Sequence, residues 1–305
     1  MSPQFTDHRD AAFSALAKKM DDGFPLVVLT NDMGAFGLSL LAERYPDRVL
    51  NVGIQEQNLI SVASGFALGG MTPVVYGIAA HLVGRSYEQV RLDLAFAGVH
   101  SLVLSAGPGL AYGADGPTHQ ALHEPMLLAS LPGITYTYPT SPQETYSAVL
   151  RSLNGSGLQW LSLDKVNFEV SSSNFLRPHS AWGCIHRNSN TALLTYGSVS
   201  EVGCDIAAQH DLDFIQLNQV LPLPTDLMVT LESYERIVLL EEASGPGLLT
   251  GLLATTAKIS DRTCIRTVSL PVDGPLGNWS RADAWGTLRS SLDHALDSSC
   301  DVRYE

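Results

Sequence analysis

Short, almost wholly apolar runs alternate along the chain with longer segments whose apolar residues recur every three to four positions. Residues 25–29, 49–52, 73–76, 102–104, 134–138 and 160–163 read as strands. Residues 11–20, 36–44, 57–69, 82–94, 121–130 and 142–153 read as helices; in the first, Ala12, Phe13, Leu16 and Met20 share one face. Strands that are apolar throughout and separated by helices predict a parallel sheet covered on both sides. Residues 165–190 break the rhythm with Ser171-Ser172-Ser173-Asn174 and Arg177-Pro178-His179-Ser180. A second set follows: strands at 192–196, 214–217, 237–240 and 264–268, and helices at 201–210, 225–233, 248–258 and near 287–296. The expected fold is α/β, with two doubly wound, mainly parallel-sheet domains at residues 1–166 and 191–305 and a linker at 167–190. The second domain shows no dense polar constellation, so a structural, dimer-forming role is expected of it.

Composition narrows the function classes. The 305 residues are 45% hydrophobic and only 16% charged, against roughly 25% charged in ordinary soluble domains. Such a chain buries large cores or covers its surface with partners. The 18 basic and 31 acidic residues leave a net charge of −13, which argues against nucleic-acid binding. No apolar run approaches the ~20 residues a membrane helix needs. The first residues, with Asp7, His8, Arg9 and Asp10, lack a signal peptide's apolar stretch. Cys184, Cys204, Cys264 and Cys300 have no metal-like or redox spacing and are expected to be reduced thiols of a cytoplasmic protein.

Ligands of open parallel sheets bind at the carboxyl ends of the strands. Three polar segments fall there: residues 53–58 with Glu56, residues 78–81, and the long loop 105–119 with Asp115, Thr118 and His119. Taken singly, Glu56 suits the positive end of a helix, and an isolated histidine is more often structural than catalytic. A long irregular loop carrying Asp, Thr and His at a carboxyl edge instead suits a polar-substrate site.

Gly53-Ile-Gln-Glu-Gln-Asn58, Gly84-Arg-Ser-Tyr-Glu-Gln-Val-Arg91 and Gly113-Ala-Asp-Gly-Pro-Thr-His-Gln120 resemble, in order and spacing, the motifs of the transketolase pyrimidine-binding domain. Thr195-Tyr-Gly-Ser198 and Glu241-Glu-Ala243 resemble, more weakly, that family's C-terminal domain. The resemblance implies a transferase that moves a two-carbon ketol unit from a ketose to an aldehyde with thiamine diphosphate. It makes Glu56 and His119 catalytic, with Glu56 hydrogen-bonded to N1′ of the aminopyrimidine. It places Glu56, Ile78, His81, Leu82 and Arg85 on the cofactor, and Asp115, His119 and Lys165 on the substrate.

The family's Gly-Asp-Gly…Asn segment, which binds the diphosphate through Mg²⁺ or Ca²⁺, has no counterpart in this sequence. The expectation is therefore the C-terminal half of a split transketolase. It would share the cofactor with an N-terminal-half subunit that holds the metal, in an α2β2 heterotetramer. The alternatives are the β subunit of a 2-oxoacid-decarboxylating enzyme and a non-catalytic scaffold half. Three departures bear on substrate. No aromatic ring occurs at residues 78–82, Gly107 stands where the family has histidine, and Asp164-Lys165 replaces a phosphate-binding arginine. They imply an unusual acceptor, such as one borne on a carrier protein, with room for it beside the glycines of residues 106–113.

Overall fold

The computed structural model describes residues 5–170, 174–176, 180–244, 247–256, 263–271 and 280–297. Residues 171–173 and 177–179 of the expected linker, residues 257–258 of an expected helix, and Cys300 lie outside them. The strands are β1 (Leu26–Thr30), β2 (Val49–Asn51), β3 (Thr72–Ile78), β4 (Ser101–Ala106), β5 (Thr135–Thr137) and β6 (Leu158–Leu163), then β7 (Trp182–Ile185), β8 (Thr191–Tyr196), β9 (Asp213–Leu217), β10 (Gln219–Leu221), β11 (Arg236–Ser244) and β12 (Cys264–Leu270). They form two sheets, in the orders β10-β5-β6-β4-β3-β1-β2 and β12-β11-β8-β9-β7. Every neighbouring pair is parallel except β10 with β5 and β7 with β9, which lie at sheet edges. The fold is thus α/β with two mainly parallel sheets, as the apolar runs predict.

The helices are α1 (His8–Asp21), α2 (Phe36–Arg44), α3 (Glu56–Leu68), α4 (Ala79–Arg85), α5 (Tyr87–Gln89), α6 (Glu124–Ala129) and α7 (Pro142–Leu153), then α8 (Ser200–Gln209), α9 (Thr225–Leu231), α10 (Leu248–Thr256) and α11 (Arg281–Asp297). Local chemistry sets several of their starts. Asp7 caps α1 by accepting from the Arg9 amide. Ser141 caps α7 through the Glu144 amide, with Pro142 in the first turn. Every residue of β1, β4 and β6 is buried. Each fully buried leucine, such as Leu29, Leu104 or Leu161, contributes about 1.5–3 kcal/mol through the hydrophobic effect.

Four features differ from the sequence reading. The helix expected at 82–94 is three pieces: α4, α5 and a π-helical stretch at Val90–Phe96. The Ser86 hydroxyl donates back to the Leu82 carbonyl at the break, a bond that bends helices. Residues 182–185, within the expected linker, form the edge strand β7. Strand β10 lies in the C-terminal half of the chain yet extends the first sheet by pairing with β5. A three-residue edge strand followed by Pro222 is too short to show a period. Cys184 and Cys204 are free, but Cys264 is disulfide-bonded rather than reduced, a pairing that sequence spacing cannot show. Among the described residues, no helix is long and apolar enough to cross a membrane.

Candidate active site

Parallel pairing of β2, β1, β3, β4 and β6 puts their carboxyl ends on one edge. From that edge come Asn31 after β1, Glu56 after β2, His81 and Arg85 after β3, the loop with His119 after β4, and Asp164 after β6. Gly53, at φ 79°, makes the turn that brings α3 back onto the sheet, a conformation that favours glycine.

Glu56 is the first residue of α3 and only 2% exposed. Its Oε1 accepts from Asn31 Nδ2 at 3.0 Å, and its Oε2 accepts from Arg85 Nη1 at 3.1 Å. His81 Nδ1 stands 3.5 Å from Oε1. Burial pushes the Glu56 carboxyl up, but its own helix-start amide and the Arg85 guanidinium outweigh this and hold it below its ordinary value. Burial, aided by the Arg85 charge and opposed by Glu56, holds the His81 imidazole below its ordinary value. The rings of His81 and His119 meet edge to face, with centroids 5.0 Å apart. His119 Nδ1 is 2.8 Å from the Thr118 hydroxyl.

The fold therefore brings Glu56, His81, Arg85 and His119 together. Ile78 is half-buried at the end of β3, and Leu82 is fully buried in the core. Asp115 is exposed in a short turn of the same loop as His119. Lys165 packs over the Tyr112 ring, its Nζ 3.9 Å from the centroid.

The expected room beside Gly107 is filled. Gly107 has φ 78°, and a Cβ there would overlap the ring of Tyr112. An aromatic residue five positions away in an irregular loop gives no periodic signal of such a contact. Asn31 was also missed. Only the adjacency of β1 and β2 shows that it orients Glu56, although an asparagine closing an apolar strand was a signal. With Nδ2 committed to Glu56, the buried Asn31 Oδ1 has no hydrogen-bond partner. An orphaned acceptor beside a buried carboxylate fits a ligand ring that presents N–H groups, as an aminopyrimidine does.

The second half of the chain also contributes a polar constellation that the sequence reading did not find. Asp164 is fully buried and accepts from Arg281 Nη1 at 2.6 Å and Nη2 at 2.8 Å. It also accepts from the Tyr138 hydroxyl at 2.5 Å and from the Ser198 hydroxyl. Arg281 Nε donates to Glu242 Oε2 at 2.9 Å. Burial raises Asp164, but the Arg281 charge and these donors hold it far below the carboxylate range. In the sequence this cluster shows only as an aspartate closing an apolar strand; its burial, which demands a cation from elsewhere, is visible only in the structure.

The profile of the family described as transketolase, pyrimidine binding domain, matches residues 6–169. A 1-deoxy-D-xylulose-5-phosphate synthase of Shouchella clausii is 30% identical over 72% of this chain and 36% of its own length. One of the chains of an apulose-4-phosphate transketolase from Phocaeicola vulgatus is 34% identical over 41% of this chain and 40% of its own. The chain thus matches less than half the length of these curated relatives. Among solved structures, a split-gene transketolase described as an inactive β4 tetramer superposes with a TM-score of 0.78, at 19% identity over 96% of this chain and 99% of that one. A transketolase from Campylobacter jejuni gives 0.76 at 14% identity over 98% of this chain and 48% of that one.

Proposed function

The chain belongs to the transketolase pyrimidine-binding-domain family, and from that premise we propose that it is the C-terminal subunit of a split, thiamine-diphosphate-dependent transketolase. The observation that carries this reading is Glu56, buried at the start of α3, with the unpartnered Asn31 acceptor beside it and His119 across His81. When bound, thiamine diphosphate supplies the carbanion stabilisation that carbon–carbon bond cleavage needs. Glu56 would hold the proton shared with N1′ of the pyrimidine, and Asn31 Oδ1 would accept from the amino group. Ile78 and His81 would border the ring, with Leu82 supporting them from the core. Arg85 would border the cofactor and, after the α3 helix-start amide, favours the ionised form of Glu56.

His119, oriented through Thr118 and His81, is placed to hydrogen-bond substrate oxygens and to hold or pass a proton at them. Asp115 would bind a donor hydroxyl, and Lys165 would lie at the acceptor end. The diphosphate and its Mg²⁺ or Ca²⁺ would lie on an N-terminal-half subunit, within an α2β2 assembly. Because Asp164 is neutralised by Arg281, the end of β6 offers a phosphate Lys165 in place of an arginine. The preferred acceptor is therefore an unusual aldehyde, unphosphorylated or carrier-bound.

The test is reconstitution with a diphosphate-binding chain and comparison of kcat/KM for ribose 5-phosphate, unphosphorylated aldehydes and carrier-bound aldehydes, with one ketose donor. Ketol transfer by the complex but not by this chain alone is expected; tight cofactor binding by the single chain would overturn the split arrangement. Preference for ribose 5-phosphate would overturn the acceptor assignment. A second reading, favoured by the 72% coverage against the deoxyxylulose-phosphate synthase, is a subunit of a 2-oxoacid-decarboxylating enzyme. Release of carbon dioxide from pyruvate would select it.

A further inference from the structure

The loop that carries Asp115, Thr118 and His119 closes at a neck, where the Ala121 amide donates to the Gly109 carbonyl at 2.8 Å. Just inside that neck, the Leu110 amide donates to Glu242 Oε1 at 2.6 Å. Glu242 stands near the end of β11, far along the chain from the loop. Gly109 has φ 56°, and a Cβ there would overlap the Glu242 carboxylate. Glu242 is itself gripped from α11, by Arg281 Nε at 2.9 Å and by Trp285 Nε1 at 2.5 Å. Arg281 and Trp285 are four residues apart and share a helix face.

The same guanidinium reaches Asp164 through two further bonds. Asp164 adjoins Lys165, which caps the Tyr112 ring seated on Gly107. Arg281 is only 12% exposed on its side chain. One arginine of the C-terminal half therefore holds the loop at two places, its neck through Glu242 and its Tyr112 turn through Asp164 and Lys165.

We propose that Glu242 and Arg281 are positioning residues that set the placement of the substrate loop, so that the C-terminal half tunes substrate binding without touching substrate. This rests on the reading that the loop contacts substrate. A guanidinium between two carboxylates suits such a role, because planar bidentate pairing fixes angles as well as distances. The Leu110 bond to a charged acceptor holds the neck more firmly than a neutral hydrogen bond would.

The experiment compares wild type, Glu242→Gln and Arg281→Lys. Hydrogen exchange of the 107–121 segment is measured on the full chain, and steady-state kinetics and cofactor affinity on the reconstituted complex. In Glu242→Gln, exchange through the segment should quicken and the donor KM should rise, each by about tenfold, as expected for loss of a charge-assisted anchor. Cofactor affinity should stay within about threefold of wild type, because the loop is separate from Glu56, and any fall in turnover number, through His119 on the same loop, should accompany the rise in KM. Arg281→Lys, which keeps the charge and loses the fork, should fall between the two. Unchanged exchange and KM in both variants would overturn the proposal. So would a loss of kcat, cofactor affinity and melting temperature without a rise in KM, the mark of a purely structural staple. A Glu56→Gln control separates the two readings. If it retains turnover, the functional reading fails, while the exchange measurement, which needs no turnover, still decides the anchoring.

Discussion

Two charged clusters stand at the same sheet edge and are built in opposite ways. At Glu56 the carboxylate is buried, yet its partner Arg85 has a side chain 52% exposed, and Asn31 keeps an acceptor unpaired. At Asp164 the carboxylate is fully buried, and Arg281, Tyr138, Ser198 and the amides of Lys165 and Val166 all donate to it. The first cluster has bonding capacity left over and a cation that can swing away. The second is saturated within the protein. Unspent capacity beside a buried charge marks a place for ligand chemistry, whereas a closed buried network fixes geometry. Both look alike as sequence, an acidic residue after an apolar strand.

The sharpest way to break this contrast is to neutralise each side in turn. Glu56→Gln should lower turnover of the assembled enzyme by about 10²–10⁴-fold, the usual weight of a group that moves a proton in the reaction. The melting temperature should change little, because the amide oxygen can still accept from Arg85 while its NH2 donates to Asn31 Oδ1 once the Asn31 amide turns over. Near-normal turnover would return Glu56 to helix-end electrostatics. Arg281→Met should instead cost about 3–5 kcal/mol of stability in denaturant unfolding, since Asp164 and Glu242 would be left buried without a cation. A loss under ~1 kcal/mol would show that the surrounding hydroxyls and amides suffice.

Acid titration sharpens the comparison further. Glu124 is fully buried in the network next to Asp164, accepts from Ser105, Trp160 and Ser162, and is pushed by burial from 4.5 up to about 7. Its folded form binds the proton more tightly than its unfolded form. Its contribution is therefore full below pH ~4.5 and is lost as pH rises to ~7, a fall of about 3 kcal/mol. Glu241, also pushed up to about 7 by burial, acts in the same sense. Glu56, held low, acts oppositely, and its contribution is lost on acidification below its ordinary value. Glu124→Gln should flatten the decline in melting temperature between pH 5 and 7; an unchanged slope would sink this assignment. The smallest effect is expected from Arg85→Ala. Its half-exposed pair with Glu56 should contribute less than ~1 kcal/mol to stability, while a pH–rate profile should move to higher pH as Glu56 loses its cation. A large loss of stability would place Arg85 with the saturated cluster instead.

The chemistry of the Glu56 side was legible because it is local. Apolar runs marked the strands, and the residues that follow parallel strands must share an edge, so Glu56, His81 and the His119 loop could be grouped before any contact was known. Arg85 entered through its motif. Asn31, Tyr112 and the whole of Asp164–Arg281–Glu242 were not legible. Asp164 and Arg281 are joined across 117 positions, and neither carries a periodic or spacing signal of the other. The replacement of an expected arginine by Asp164 was visible, but its consequence was not, since the compensating cation arrives from α11.

What the sequence by itself determined is the alternation of buried strands and covering helices, and with it the edge at which polar residues gather. That follows from short-range patterning, in which each element states which of its faces avoids water. What only the tertiary structure decided is which of those polar residues are free to act. Whether a carboxylate is saturated or has capacity left depends on donors brought from distant elements into a low-dielectric interior, where an unmet charge is too costly to persist. No local pattern encodes that arrival, and here it separates Glu56 from Asp164.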